Sequence, residues 1–249
     1  MQNYKMVLQY DGTRYAGWQK QGNTDRTIQG KLEEILSSLN GDRVDVNGSG
    51  RTDAGVHALG QTASFRMSRQ YSTDELMKMI NAALPEDIAV TGLDYAPPRF
   101  HARLSAKEKT YRYTIQNSHV PDVFHRRFEY RLEENLDIER MKAGAALMLG
   151  RHDYKGFSTG HTKKSTVRTV KAIEIIEDGD KIFIFFTGDG FLYNMVRIMT
   201  GTLIELGLHK KELADIEAVF SSGDRQRAGF TAPACGLCLM HVAYGEGER

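Results

Sequence analysis

The sequence predicts an α+β protein in two similar halves, each a mainly antiparallel sheet covered on one face by helices. Short segments such as 5–10, 109–116 and 181–187 alternate with the period of two that a half-buried strand shows. Longer segments at 28–39, 72–84, 138–149 and 191–206 place apolar residues at helical spacing. Strands and helices recur as two successive sets, and a hairpin signal lies in the second. That pattern suits helices packed on antiparallel sheets.

Residues 5–10 alternate and run into Asp11-Gly12, a strand followed by a turn. From Ile28, the positions Ile28, Leu32, Ile35, Leu36 and Leu39 make one helical face, with Thr27 as N-cap and Asn40-Gly41 as the stop. Residues 44–46 and 61–65 read as strands flanking a glycine-rich turn. Ser72 and Glu75 have capping-box spacing and open a helix whose face is Leu76, Ile80, Ala83 and Leu84, stopped by Pro85. In the second half come a strand at 109–116, an amphipathic helix at 138–149, and a hairpin of 170–176 with 181–187 across Glu177-Asp178-Gly179-Asp180. Helices at 191–206 and 212–220 complete the set. The basic stretch 99–109 is the expected junction, dividing the chain into residues 1–105 and 106–249.

With 249 residues, 41% hydrophobic and 26% charged, and only 5 prolines, the whole chain is expected to fold. The start lacks a basic stretch followed by an apolar run, and no run of about 18 apolar residues occurs. A cytoplasmic protein with no membrane partner is therefore expected. Cys235 and Cys238 form a single Cys-x-x-Cys pair, too few ligands for a four-coordinate zinc site unless histidines join them. Two small residues packed in a strand is the simpler reading, and no metal site is expected.

The net charge of +1 argues against a protein that coats nucleic acid indiscriminately, but the charge is uneven. Eight Lys/Arg stand against three acids between Arg99 and Arg131, and six against Asp153 between Arg151 and Lys171. Two such segments suit a phosphate backbone crossing the surface, though solvated faces on unrelated elements would look the same.

The most informative stretch is Gly48-Ser49-Gly50-Arg51-Thr52-Asp53-Ala54-Gly55-Val56-His57-Ala58. Glycines on both sides of a carboxylate allow a sharp turn and close approach to a ligand, and Arg51 and His57 add positive donors. Such a loop can hold an anionic nucleophile against a polyanion. Taken alone, a tight turn whose aspartate bonds its own backbone accounts for it equally.

The string Gly-Arg-Thr-Asp-Ala-Gly-Val-His-Ala resembles the active-site motif of the tRNA pseudouridine synthase A family, and other segments agree in order. Asp11-Gly12-Thr13-x-Tyr15-x-Gly17-Trp18-Gln19 with Thr27-Ile28-Gln29 resembles that family's opening. Phe100-His101-Ala102-Arg103 and Lys109-Thr110-Tyr111-Arg112-Tyr113 resemble its centre. Phe191-Leu192-Tyr193-Asn194-Met195-Val196-Arg197 and Pro233-Ala234-x-Gly236-Leu237 resemble its close. Small departures are Tyr154, where phenylalanine is more usual, and Cys235 and Cys238 around Gly236-Leu237.

The resemblance implies isomerisation of uridines 38, 39 and 40 in the tRNA anticodon stem-loop, without cofactor, by a homodimer whose two α+β halves meet at a central cleft. It assigns the catalytic carboxylate to Asp53. A carboxylate that must stay ionised away from water needs a cationic partner, and the resemblance names Arg197 for it. It names Tyr111 as the ring that stacks on the uracil, with a hydroxyl that assists loss of the C5 proton. Because the target base must leave its stack, Arg51 is assigned as the cation that holds the distorted RNA, and His57 and Leu237 as further substrate contacts. Arg103, Lys109, Lys163, Lys164 and Arg168 are the candidate tRNA contacts. Alternatives are a pseudouridine synthase for other RNA positions, a nucleoside hydrolase, and a non-catalytic RNA-binding protein. Hydrolysis usually employs a second carboxylate, and the motif offers none near Asp53.

Overall fold

The computed structural model describes residues 1–160 and 165–245. The chain forms two compact units, one of Met1–Lys107 with the C-terminal segment from Leu239, the other of Glu108–Cys238. The break falls inside the basic stretch 99–109, and the return of the last strand to the first unit departs from a linear division at 105/106.

In the first unit the order is β1 (Gln2–Tyr10), α1 (Ile28–Asn40), β2 (Val46–Gly48), β3 (His57–Met67), α2 (Thr73–Ala83) and β4 (Ile88–Tyr95). The strands lie in the order β4, β1, β3 and the C-terminal strand Leu237–Tyr244, with β2 beside β3. β1 pairs antiparallel with both β3 and β4, and its inward residues Tyr4, Met6 and Leu8 are fully buried, as alternation requires. β3 exceeds the expected 61–65 because it is buried along most of its length, including Gln61, Thr62 and Ser64, and so shows no polar period. α1 keeps its expected limits: Thr27 Oγ1 accepts the Gly30 N–H at 3.2 Å, and Gly41 closes the helix with φ +78°. Strand β4, which the alternation did not reveal, is tied to α2 by a reciprocal pair between the Asn81 amide and the Val90 backbone at 2.9 and 2.8 Å.

The second unit contains β5 (Ala106–Asn117), β6 (Tyr130–Leu132), α3 (Ile138–Leu147), β7 (Gly150–Asp153), β8 (Val167–Asp178), β9 (Lys181–Gly188), α4 (Met195–Gly207) and α5 (Leu213–Ser222). The order β5, β9, β8, β7 is antiparallel throughout, and β6 pairs parallel with β5. The predicted hairpin is β8–β9, turning at Gly179 with φ +62°. α3 packs on α4 and α5, and its Gly144 leaves room for Leu206. α4 begins four residues later than its apolar spacing suggested, because Asn194 takes a left-handed conformation (φ 60°) that a helix interior does not accept. Both units are α+β, in agreement with the sequence. Among the described residues, no helix is long and apolar enough to cross a membrane.

Candidate active-site loop

Asp53 lies on the connection between β2 and β3, and both flanks of this loop are tied down within the first unit. Toward β2, the Ser49 N–H donates to Thr62 O (2.7 Å), the Ser49 hydroxyl lies 2.6 Å from Gln61 Oε1, and Gln61 Nε2 donates to Gly50 O (3.2 Å). Toward β3, the Val56 N–H donates to Asp53 O (3.1 Å), closing a turn with Ala54 and Gly55 at its corners. Gly55 has φ +77°, the value a type II turn demands at its third position, which is why a glycine stands there.

Residues 11–18 form the seat of this loop. The Trp18 N–H donates to Thr52 O (3.0 Å) and the Gly55 N–H to Tyr15 O (3.3 Å). The Thr52 hydroxyl meets Tyr10 OH at 2.8 Å in a buried contact. The two backbones approach too closely for side chains. A methyl group on Gly12 would lie 2.0 Å from Val56 O, one on Gly17 2.6 Å from Thr52 O, and one on Gly48 2.4 Å from the Trp18 ring. His57, 4% exposed, accepts the Gly12 N–H on Nδ1 at 3.0 Å, with Asp11 Oδ1 3.3 Å from the same nitrogen. Through this contact His57 braces the seat as well as flanking the loop. Asp53 itself is half-buried, on backbone that cannot shift without breaking several of these bonds.

Arg51 is exposed, and its Nε donates to Gln19 Oε1 at 2.9 Å. Neither Gln19 nor Gln29 has a role legible in the sequence. Their pairing, Gln19 Nε2 to Gln29 Oε1 at 2.7 Å, joins positions 10 residues apart.

In the second unit Tyr111 lies on β5 opposite Phe186, is 7% exposed, and meets the Phe191 ring edge-on at 5.4 Å. Arg197 occupies the first turn of α4. Its Nε donates to Ala232 O (2.7 Å) and its Nη1 to Asn194 Oδ1 (3.0 Å), while the Ala232 N–H returns to Arg197 O (3.1 Å). Asn194 is itself held by Thr159 Oγ1 at 2.8 Å. The Asn-Met-Val-Arg string is therefore a helix start that orients its own arginine. The closing string packs on the central one: a methyl group on Gly236 would lie 2.6 Å from the Tyr113 ring, and Tyr113 OH donates to Pro233 O (2.9 Å). Leu237 is buried.

Residues 6–104 and 145–245 match the sequence profile of the tRNA pseudouridine synthase family. The chain belongs to the tRNA pseudouridine synthase family. Its reaction is the isomerisation of uridine to pseudouridine in tRNA. Relatives along the full length agree. The tRNA pseudouridine synthase A of Bacillus sp. (strain KSM-64) is 46% identical over 245 residues, covering 98% of this chain and 100% of the relative. That of Acetivibrio thermocellus is 44% identical over 246 residues, with 98% and 100% covered. The tRNA pseudouridine synthase A 2 of Clostridium perfringens is 42% identical over 247 residues, again with 98% and 100% covered. Tyr111 lies between the two profile segments but within the span of these relatives.

The other candidates scatter over both units of this family member. Arg103 is exposed at the end of a turn that His101 caps, its Nδ1 accepting the Arg103 N–H at 3.1 Å. Lys109 is half-buried on β5 opposite Gly188, and Arg168 leans on the backbone of Ser165 and Val167 near Gly190. Lys163 and Lys164 lie outside the described residues. Cys235 and Cys238 are not joined in a disulfide; Cys235 Sγ reaches Glu129 O at 3.3 Å, and burial raises its pKa. Tyr154 is fully buried and uses its hydroxyl on Met148 O (2.9 Å) and Gly150 O (3.1 Å), an outlet a phenylalanine would lack.

Proposed function

We propose that the protein converts uridines 38, 39 and 40 of the tRNA anticodon stem-loop to pseudouridine, with Asp53 as the catalytic carboxylate. The observation that supports this best is the anchoring of Asp53 on both flanks within a glycine-lined seat, since a nucleophile or base must be held still relative to the sugar and ring it serves. The isomerisation breaks the N1–C1′ bond, joins C5 to C1′, releases the C5 proton and returns a proton to N1. It is redox-neutral, and this reading needs no cofactor.

Arg51, exposed beside Asp53, holds the RNA once the target base has left its stack. Arg197 keeps the carboxylate ionised and Tyr111 stacks on the uracil; the preset guanidinium and the rigid aromatic pair suit these roles. Arg103, Lys109, Lys163, Lys164 and Arg168 contact the tRNA backbone, Leu237 lines the base site, and the protein works as a cytoplasmic homodimer. His57 serves through the loop it braces.

The test is incubation of the purified protein with unmodified tRNA transcript, without metal or nucleotide, followed by mapping of pseudouridine at each position. Modification at 38, 39 and 40, absent with Asp53→Asn, is the expected result. Modification only elsewhere overturns the substrate assignment, and free uracil with an abasic site would point to hydrolysis.

A further inference from the structure

We infer that Gln19, Gln29 and Glu33 form a positioning relay that aims the Arg51 guanidinium; this rests on the reading above that Arg51 engages the RNA. Every link is a hydrogen bond of a single direction. Glu33, 8% exposed, accepts from Lys20 Nζ on Oε2 (3.1 Å) and from both Gln29 Nε2 (3.0 Å) and the Val46 N–H (3.3 Å) on Oε1. A carboxylate paired in this way only accepts, so the Gln29 amide presents its NH2 end to Glu33 and to Val46 O (3.0 Å). Gln29 Oε1 is then left to accept, from Gln19 Nε2 at 2.7 Å and from the Lys20 N–H at 2.9 Å. Gln19 in turn has its oxygen toward Arg51 Nε.

Reversing either amide would set donor against donor or acceptor against acceptor along the line, so the buried acid determines the orientation of a side chain at the surface. A guanidinium is planar and rigid, and its Nε–H lies in that plane along one direction. Fixing that bond therefore restricts where the terminal nitrogens of Arg51 point. The relay runs from α1 through the segment before it, along the wall of an open groove of about 940 Å³ that Gln19, Lys20, Gln29, Glu33 and Val46 help to line. Because Gln19 and Gln29 are half-buried at this wall and not in the core, breaking the relay need not cost the fold.

The test compares Gln19→Leu, Gln29→Leu and Arg51→Ala, and each glutamine change combined with Arg51→Ala. The measurements are single-turnover pseudouridine formation on unmodified tRNA transcript, tRNA affinity, and thermal unfolding. Each glutamine change is expected to slow turnover about tenfold, with affinity within about twofold of wild type. In the Arg51→Ala background neither change should slow it further. Unchanged rates in the single variants overturn the relay. An equal slowing with and without Arg51 also overturns it, making the glutamines merely structural while leaving Arg51's role intact. Wild-type activity of Arg51→Ala would instead defeat the reading of Arg51, and the relay with it. Gln19→Leu, which removes no backbone partner inside the unit, keeps the test decisive should Gln29→Leu lose stability.

Discussion

The two units hold their candidate catalytic groups by different means. In the first, Asp53 sits on irregular backbone, and the loop is held by main-chain hydrogen bonds and by glycines that let the 11–18 segment lie against it. In the second, Tyr111 and Arg197 project from regular elements, a strand and the first turn of a helix, and are held through their side chains. A loop built by close backbone approach tolerates few residue types, so it leaves a distinctive string. A helix start that aims an arginine needs only an asparagine and a carbonyl, and leaves much less.

The contrast can be attacked at several points. Asp53→Asn should reduce turnover by more than about a thousandfold with tRNA affinity largely kept, since the anchored backbone does not depend on the charge. Equal loss of binding and activity would make Asp53 structural. Gly12→Ala comes next. Its methyl group meets the Val56 carbonyl, which is backbone and cannot swing aside, so a loss of about 1–3 kcal/mol in unfolding free energy and a displaced loop with slow turnover are expected. Gly144→Ala is the matched change in the second unit, where the obstacle is the end of the Leu206 side chain at 2.4 Å. It should cost less stability and leave turnover near wild type.

Arg197→Lys keeps the charge but loses the fork that spans Ala232 O and Asn194 Oδ1, so turnover should fall about tenfold with little change in melting temperature. A large fall in melting temperature would mean that the arginine is a structural cap.

The smallest effect is one of pH. Burial, aided by Asp87, holds the Tyr15 phenol above its ordinary value of 10.0, and burial does the same for Tyr113 and Tyr154. Phenols with raised folded values contribute stability that is complete below 10.0 and is lost as pH rises through the folded values. Both units should therefore weaken in alkali above pH 10.0, and Tyr15→Phe should blunt that loss in the first unit. Denaturant unfolding at a series of alkaline pH values, read with the tyrosinate absorbance, checks this.

Much of the local structure was legible before any fold was known. Thr27 and Gly41 mark the ends of α1, Gly179 turns the β8–β9 hairpin, and Gly55 sits where its turn needs a positive φ. Strands β4, β6 and β7 leave no legible signal, being short or interrupted by glycine, and of the C-terminal strand only the end at Cys238 is legible, as small residues packed in a strand. Apolar spacing places the start of α4 four residues early, because it ignores the left-handed Asn194. Within the site, Asp53 and Arg51 stood out in a dense motif. Arg197 drew on resemblance alone, since helical spacing cannot say whether an arginine is held at Nε and Nη1 or waves in solvent.

Membership of the tRNA pseudouridine synthase family, the α+β class and the identity of the glycine-flanked acid were determined by the sequence itself, because each is written in neighbouring residues whose chemistry acts locally. Only the tertiary structure decided that residues 11–18 seat the Asp53 loop, that the last strand returns to the first unit, and that a buried glutamate is connected to an exposed arginine through two amides. These depend on segments far apart in the chain meeting in one register. No local period or cap encodes that meeting, which arises only when the whole core closes around it.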